Sequence, residues 1–412
     1  MKRFTSLLLS LALLFSFVAT VQAEEKPISV WLENQQLQLG ENQPIMENGT
    51  TLVPAKETFE KLAFEVTWDQ QNKVIKGEKE GLILLFQVGT PAVKVNDTEQ
   101  GLLVAPKNIK GTIYIPLRTV SEAAGYEVSW NKEARAVALA VKEPSRGFLW
   151  KSENAGNTVY LLGSIHIASE AMYPLRAEIQ KAYEASDYLV VEADITKMSD
   201  EAVQKQILDL SLHKDNTTLK DHISADAYKK LGEILKQNGA AENVLDTYKT
   251  WSVASTVDYL TATKAGYNAG IGIDAFFLQQ SIENKQPILE LESIDYQLNM
   301  FDRFSDKLQE EMLNQSIESY YAEDSGIDDL TNMWVTGNEE QLLELTNSTK
   351  SNEEFYKALL ADRNGPMVEK IKGYLNDSGK KTYFVVVGAA HMIGEDGIVP
   401  LLEKQGFKVV PE

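Results

Sequence analysis

The chain has 412 residues, with 40 basic and 60 acidic side chains, a formal net charge of −20, four histidines and no cysteine. A surface this acidic repels nucleic acid and anionic lipid, so neither is expected as a partner. The lack of cysteine excludes disulfides and thiolate metal sites and leaves a hydrophobic core to hold the fold.

Residues 1–23 carry Lys2 and Arg3, the apolar stretch "LLLSLALLFSFVAT" and the small-residue ending "VQA" at Ala23. This order predicts a cleavable secretory signal peptide, hence a secreted or cell-surface protein. With no cysteine to carry a lipid, a lipoprotein is not expected. No later run approaches the roughly 18 apolar residues of a membrane span, so the mature chain is expected to lack a transmembrane segment.

Next comes an internal repeat. "NGTTLVPAKETFEKLAFEVTWDQQNKVIK" at 48–76 aligns without a gap on "KGTIYIPLRTVSEAAGYEVSWNKEARAVA" at 110–138. Gly49 matches Gly111, Pro54 matches Pro116 and Trp68 matches Trp130. Each copy predicts a turn, a short alternating strand, a helix after the proline and a second strand carrying the tryptophan. A fixed offset of this kind marks a duplicated α+β unit whose halves share one small core. The tryptophans are expected to be core residues of alternating strands, with a carbohydrate-stacking platform as the alternative. "VKEPSRG" at 141–147 then has the proline, serine and glycine of a linker. It divides a domain at 24–143 from a second at 144–412.

Past the linker, short apolar runs at 157–162, 188–191, 287–291 and 382–387 frame a long helical stretch. Segments such as "ADAYKKLGEILKQNG" space apolar residues helically and stop at Gly239. Continuous apolar strands alternating with helices predict an α/β (α+β) domain, with a parallel or mixed sheet flanked by helices. Residues 200–286 are expected to insert a helical layer over one end of that sheet. His213 and His222, within it, are expected to be exposed.

Each apolar run delivers a polar group. "VYLL" leads to Gly163 and His166, "DYLVVEAD" to Glu192 and Asp194, "QPILELES" to Glu290 and Glu292, and "YFVVVGAAH" to Gly388 and His391. Ligand sites in open α/β sheets lie beyond the carboxyl ends of the strands, so parallel strands would bring these groups to one rim. The glycines would permit the sharp turn and close backbone approach there. Two neutral imidazoles and a carboxylate suit a divalent ion such as manganese, cobalt or zinc, with positions left for water. Glu292 or Asp194 could hold an imidazole tautomer or accept a proton from that water.

"YLLGSIHIASEAMYPLRAEIQKAYEASDYLVVEAD", "GIGIDAFFLQQSIENKQPILELES" and "YFVVVGAAHMIGEDGIVPLLEKQGFKV" resemble the TraB/GumN family, in the wider group of the Tiki metalloproteases and pheromone-shutdown proteins. The resemblance covers residues 147–412 and matches a paired G-x-x-H with an intervening glutamate onto Gly163/His166, Glu192 and Gly388/His391. It implies a metal-dependent hydrolase acting on a peptide or protein substrate, with His166, Glu192 and His391 as metal ligands. Glu292 and Arg363 also match family positions, Arg363 as a group that orients a substrate carboxylate or oxyanion, or that pairs with a surface acid. Asp274 is expected either to line the cleft, as Asp194 could, or to be the N-cap of a helix. The superfamily also reaches haem-associated and esterase groups, so a non-catalytic haem- or peptide-binding surface protein is the alternative.

Residues 28–141 resemble the stalk domain named after the amino-terminal region of copper amine oxidases. That segment has no histidine or cysteine, and the resemblance implies neither copper nor oxidase activity. It implies a spacer, or a module that attaches to a cell-wall component.

Overall fold

A computed structural model describes residues 26–412, and the expected signal peptide lies outside them. The chain is a mixed α/β protein in two compact units, one ending at Lys142 and the other running Glu143–Glu412.

In the first unit β1 (Thr50–Pro54) passes through its proline into α1 (Ala55–Lys61), followed by β2 (Glu65–Asp69) and β3 (Val74–Lys79). The order recurs in β4 (Thr112–Pro116), α2 (Leu117–Ala123), β5 (Tyr126–Asn131) and β6 (Ala136–Val141). β1 pairs antiparallel with β4, placing Val53 opposite Ile115 and Pro54 opposite Tyr114. Val53 and Ile115 are matching positions of the repeat, so the copies meet across a local two-fold axis at this pair. Both side chains are buried in one cluster with Phe59, Leu117 and Val120.

Trp68 and Trp130 do not enter that core. They are 42% and 39% exposed, which corrects the expectation from alternation. Their strands, β2 and β5, are both sheet edges. Within each, burial fades after Val66 and Val128, before the tryptophan is reached.

The second unit begins with β7 (Phe148–Asn154), β8 (Asn157–Ser164), α3 (Ala177–Glu184) and β9 (Tyr188–Val191). Among the helices that follow are α4 (Ala225–Gln237), α5 (Thr250–Lys264) and α6 (Ile273–Asn284), before β10 (Ile288–Glu290). Later come α7 (Ile294–Asp302), α8 (Asp306–Tyr321), α9 (Asp362–Leu375), β11 (Thr382–Gly388) and β12 (Val409–Pro411). The sheet order is β10–β9–β11–β8–β7–β12. The first four strands are mutually parallel, and β7 runs antiparallel to β8 and β12. Leu161, Leu162 and Val385 to Val387 have no exposed surface, as continuous apolar runs in a sheet covered on both faces require. Tyr183 of α3, Phe277 of α6 and Phe384 of β11 lock together with ring centroids 4.9–5.7 Å apart.

The helical layer has its own core, in which Leu231 and Ile234 of α4 meet Val253 and Val257 of α5 and Leu313 and Ile317 of α8. The layer is therefore not confined to 200–286. It recruits α8 from beyond β10, while α6 contributes Ile273, Phe277 and Leu278 to the main sheet's core. His213 and His222 are half-buried rather than exposed, their rings stacked at 4.2 Å. The Thr217 hydroxyl lies 3.4 Å from Nδ1 of the first and 2.8 Å from Nε2 of the second. Charge patterning gave no sign of this, because the rings are brought together by the fold of residues 213–222, which ends in the short 3-10 turn Leu219–Asp221.

Candidate functional site

The four parallel strands end side by side. Ser164 of β8 pairs with Gly388 of β11, and Val191 of β9 lies between Val386 and Glu290. The residues past these ends rise from one rim.

At the β8 end, Gly163 is required by packing. A Cβ there would stand 3.1 Å from the Cα and Cβ of Ala389. Gly272 makes an even closer approach, where a Cβ would meet the His166 carbonyl oxygen at 2.2 Å. The Ile273 N–H donates to the Ile165 carbonyl at 3.0 Å, pinning the start of α6 to this loop. Asp274, in the first turn of α6, then reaches Nδ1 of His166 at 2.9 Å and accepts from the Ser164 hydroxyl at 2.7 Å. The helix N-cap is Gly272, so Asp274 is not the cap but the partner of an imidazole.

Glu192 follows β9. Its Oε2 accepts from the Gly388 N–H at 3.1 Å, and its Oε1 accepts from Gln297 Nε2 at 2.8 Å and from Arg363 Nη2. Glu292 is clamped by the same guanidinium, with Nε at 3.0 and 3.1 Å and Nη2 at 2.7 Å. It therefore faces Arg363 and holds no imidazole tautomer, the first of the two roles expected of it. Arg363 is 3% exposed and sits at the head of α9, just after a π-helical turn at Lys357–Ala361 whose Leu359 carbonyl accepts from Nη1 at 3.0 Å. Its partners are two buried carboxylates rather than surface acids, so its fork positions Glu192 instead of facing a substrate. Asp194 is turned to local work. It accepts from the Thr196 N–H at 3.1 Å and hydroxyl at 2.5 Å, capping the short turn Ile195–Ser199, and is not an imidazole's partner.

His391, in the turn after β11, is buried. Its Nδ1 lies 2.6 Å from Asn364 Oδ1, and the Asn364 amide nitrogen donates to the Asp396 carbonyl at 2.7 Å. That second bond fixes the amide oxygen toward the ring, so Nδ1 carries the proton and Nε2 keeps its lone pair. Nε2 is 4.0 Å from Glu192 Oε2.

The three groups meet over Gly388. A Cβ built on that glycine would lie 3.4 Å from Glu192 Oε2, 3.5 Å from His166 Nε2 and 3.5 Å from His391 Cδ2. Absence of a side chain at 388 leaves a methyl-sized space among them.

The charge states differ across this space. The Asp274 carboxylate raises His166 to about 9, although the ring is 65% exposed and solvent screens part of that pull. Burial pushes His391 down to about 4, so it is neutral at pH 7. Burial would raise Glu192, but His391, His166, Arg363 and the Gly388 N–H outweigh it and hold the carboxyl down at about 2.

Residues 148–411 match the TraB/PrgY/gumN family. The chain belongs to that family. Residues 31–139 match the copper amine oxidase N-terminal domain. Over 243 residues the chain is 25% identical to the uncharacterized protein YbaP of Escherichia coli (strain K12), spanning 59% of this chain and 87% of YbaP. The same figures hold for YbaP of Shigella flexneri.

Within this TraB/PrgY/gumN unit, four residues complete the site without having been singled out in the sequence: Ser164, Gly272, Gln297 and Asn364. Gly272 and Asn364 lie inside "GIGID" and "ADRNGPM", beside residues that were. Gln297 had no local signal, being one polar residue of α7 with Ile294, Met300 and Phe301 at helical spacing around it.

Whether the donor set fits a metal ion can be tested on its chemistry. Among the described residues no group of three His, Asp or Glu side chains is arranged as a ready metal centre. The 4.0 Å between His391 Nε2 and Glu192 Oε2 exceeds the roughly 3.3 Å edge of a tetrahedron with bonds of about 2 Å. The donors nonetheless fit in kind. Both imidazoles have Nδ1 occupied by an oxygen partner, the arrangement that orients metal-ligating histidines, and a carboxylate oxygen faces them.

Proposed function

We propose that the rim is a hydrolytic centre in which His166, Glu192 and His391 hold a divalent cation, manganese, cobalt or zinc, and which acts on a peptide or protein. The observation that carries this reading is the convergence over Gly388 of two Nδ1-anchored imidazoles and one carboxylate. Such an ion would supply an acidified water and a Lewis acid for a substrate carbonyl.

The chain's own residues divide the remaining tasks. Asp274 and Asn364 fix the two rings through Nδ1; His391 Nε2 keeps its lone pair, and His166 Nε2 would release its proton as it binds the ion. Arg363 and Gln297 occupy Glu192 Oε1 and leave Oε2 turned to the imidazoles. His166, open to solvent beside a carboxylate, is the imidazole placed to meet an incoming substrate. Glu292 balances Arg363, so that Glu192 is not its sole counter-charge. The export implied by the first 23 residues would put this chemistry outside the cytoplasm, with the first unit as a spacer or wall-attachment module.

The test is metal analysis of untagged protein followed by a peptide-library cleavage assay with manganese, cobalt or zinc added back. Retained metal content and turnover in His166→Ala and His391→Ala would overturn the assignment. A visible absorption band after exposure to haem, without cleavage, would favour the binding-protein alternative.

A further inference from the structure

The two-fold pairing of Val53 with Ile115 gives the first unit two equivalent grooves. One, of about 700 Å³, is formed by Gly49 to Thr51 of the first copy against Leu117, Val128 and Trp130 of the second. The other, of about 720 Å³, reverses the roles, with Gly111 to Ile113 against Val66 and Trp68. Each is lined by one of the two repeat-matched tryptophans, Trp130 in the first and Trp68 in the second.

Equivalent in form, the grooves differ in charge. Arg118, Lys132 and Arg135 line the Trp130 groove, and no carboxylate is among its lining residues. Lys56 in the other groove is outnumbered by Glu57, Glu60 and Glu65. Two substitutions between the repeats account for part of this: Glu57 corresponds to Thr119, and Gln70 to Lys132. Arg118 pairs with Glu122 at 2.8 Å, but at an exposed site where such a pair is weak and leaves the guanidinium accessible. On a chain of net charge −20, the Trp130 groove is a local cationic exception. Its walls add the hydroxyls of Thr50, Thr51, Thr119 and Ser129.

We propose that the Trp130 groove binds an anionic glycan. A flat indole face takes the C–H face of a pyranose ring, the threonine and serine hydroxyls meet its hydroxyls, and Arg118 and Lys132 take a carboxylate or phosphate. The Trp68 groove offers the same platform with the opposite charge and serves as an internal control. The proposal is independent of the metal reading of the second unit.

The experiment is calorimetric titration of the full chain with three probes: oligogalacturonate for carboxylated sugars, a phosphomannan oligosaccharide for phosphorylated ones, and neutral cellohexaose. One or both anionic probes should bind roughly tenfold or more tightly than cellohexaose, and more weakly as salt is raised. Which anionic probe wins identifies the source of the charge. Trp130→Ala and Lys132→Glu should each weaken binding roughly tenfold, Trp130→Phe should keep most of it, and Trp68→Ala should leave it unchanged. Trp130 is an exposed edge-strand residue, and circular dichroism of the variant checks that the fold is kept. Failure of both anionic probes to bind, equal binding of cellohexaose, or equal losses in Trp68→Ala and Trp130→Ala would overturn the proposal. So would a dimer in sedimentation equilibrium that Trp130→Ala splits, since the occupant would then be a second copy.

Discussion

Asp274 and His166 are 108 positions apart in the chain, yet the carboxylate of one stands 2.9 Å from Nδ1 of the other. The contact depends on Gly272, whose bare Cα lets α6 start against the His166 carbonyl. Asp274→Asn should keep the helix in place and lose the charge that orients and raises His166. Cation affinity at the rim should fall about 10- to 100-fold, measured by equilibrium dialysis, and the metal-free chain should also lose the stability that the raised His166 contributes below pH 9.

Among the described residues, Arg363 is the charged partner that the side chains of Glu192 and Glu292 share. Arg363→Ala would strand both carboxylates, a loss of about 3–5 kcal/mol in urea unfolding. Neutralising the pair as well, with Glu192→Gln and Glu292→Gln, should recover much of that stability while leaving the site inactive.

Two glycines at matching strand ends should behave differently. In Gly163→Ala the new Cβ would press on the Ala389 backbone at 3.1 Å, and about 1–3 kcal/mol of stability should be lost. In Gly388→Ala the Cβ would make only ordinary contacts, at 3.4 Å and beyond, with the backbone at φ −45°. Stability should change little, but the methyl fills the space between the donors, and cation uptake should disappear. Urea midpoints and dialysis on both variants distinguish the two effects.

Strands and histidines were legible in the sequence because each needs only local information: an apolar run buried on both faces, then a glycine, then the imidazole. The pairing of those histidines with their partners was not, although Asp274 was a cleft candidate. Asp274 and Asn364 are single polar residues in helical first turns, and only the placement of α6 and α9 against the rim turns them toward a ring. Glu292 and Asp194 misled for the same reason. Each follows a strand as Glu192 does, but one meets Arg363 and the other caps its own next turn. Trp68 and Trp130 show the limit of alternation, which says that one face differs from the other and not how far the core extends beneath a sheet edge.

The site's titrations have opposite signs. His391 falls from 6.5 to about 4, so its contribution to stability is full above pH 6.5 and is lost as pH drops toward 4. Glu192 falls from 4.5 to about 2, and its contribution is lost in turn below pH 4.5. His166 rises from 6.5 to about 9, so what it contributes is full below pH 6.5 and is lost as pH climbs through 9. In chelator-treated protein the site's contribution should therefore peak near pH 6.5. His391→Gln should flatten the acid side between 6.5 and 4, and His166→Gln the alkaline side, in urea midpoints taken across pH.

Cobalt titration of the metal-free chain tests the central claim most directly, because the visible spectrum of the ion reports nitrogen and oxygen ligands and separates them from loose binding to an acidic surface. The wild-type chain should take up one tightly held ion with a saturable visible band, and the band should be absent from His166→Ala, Glu192→Ala and His391→Ala. A band of equal strength in wild type and in His166→Ala and His391→Ala would contradict the account.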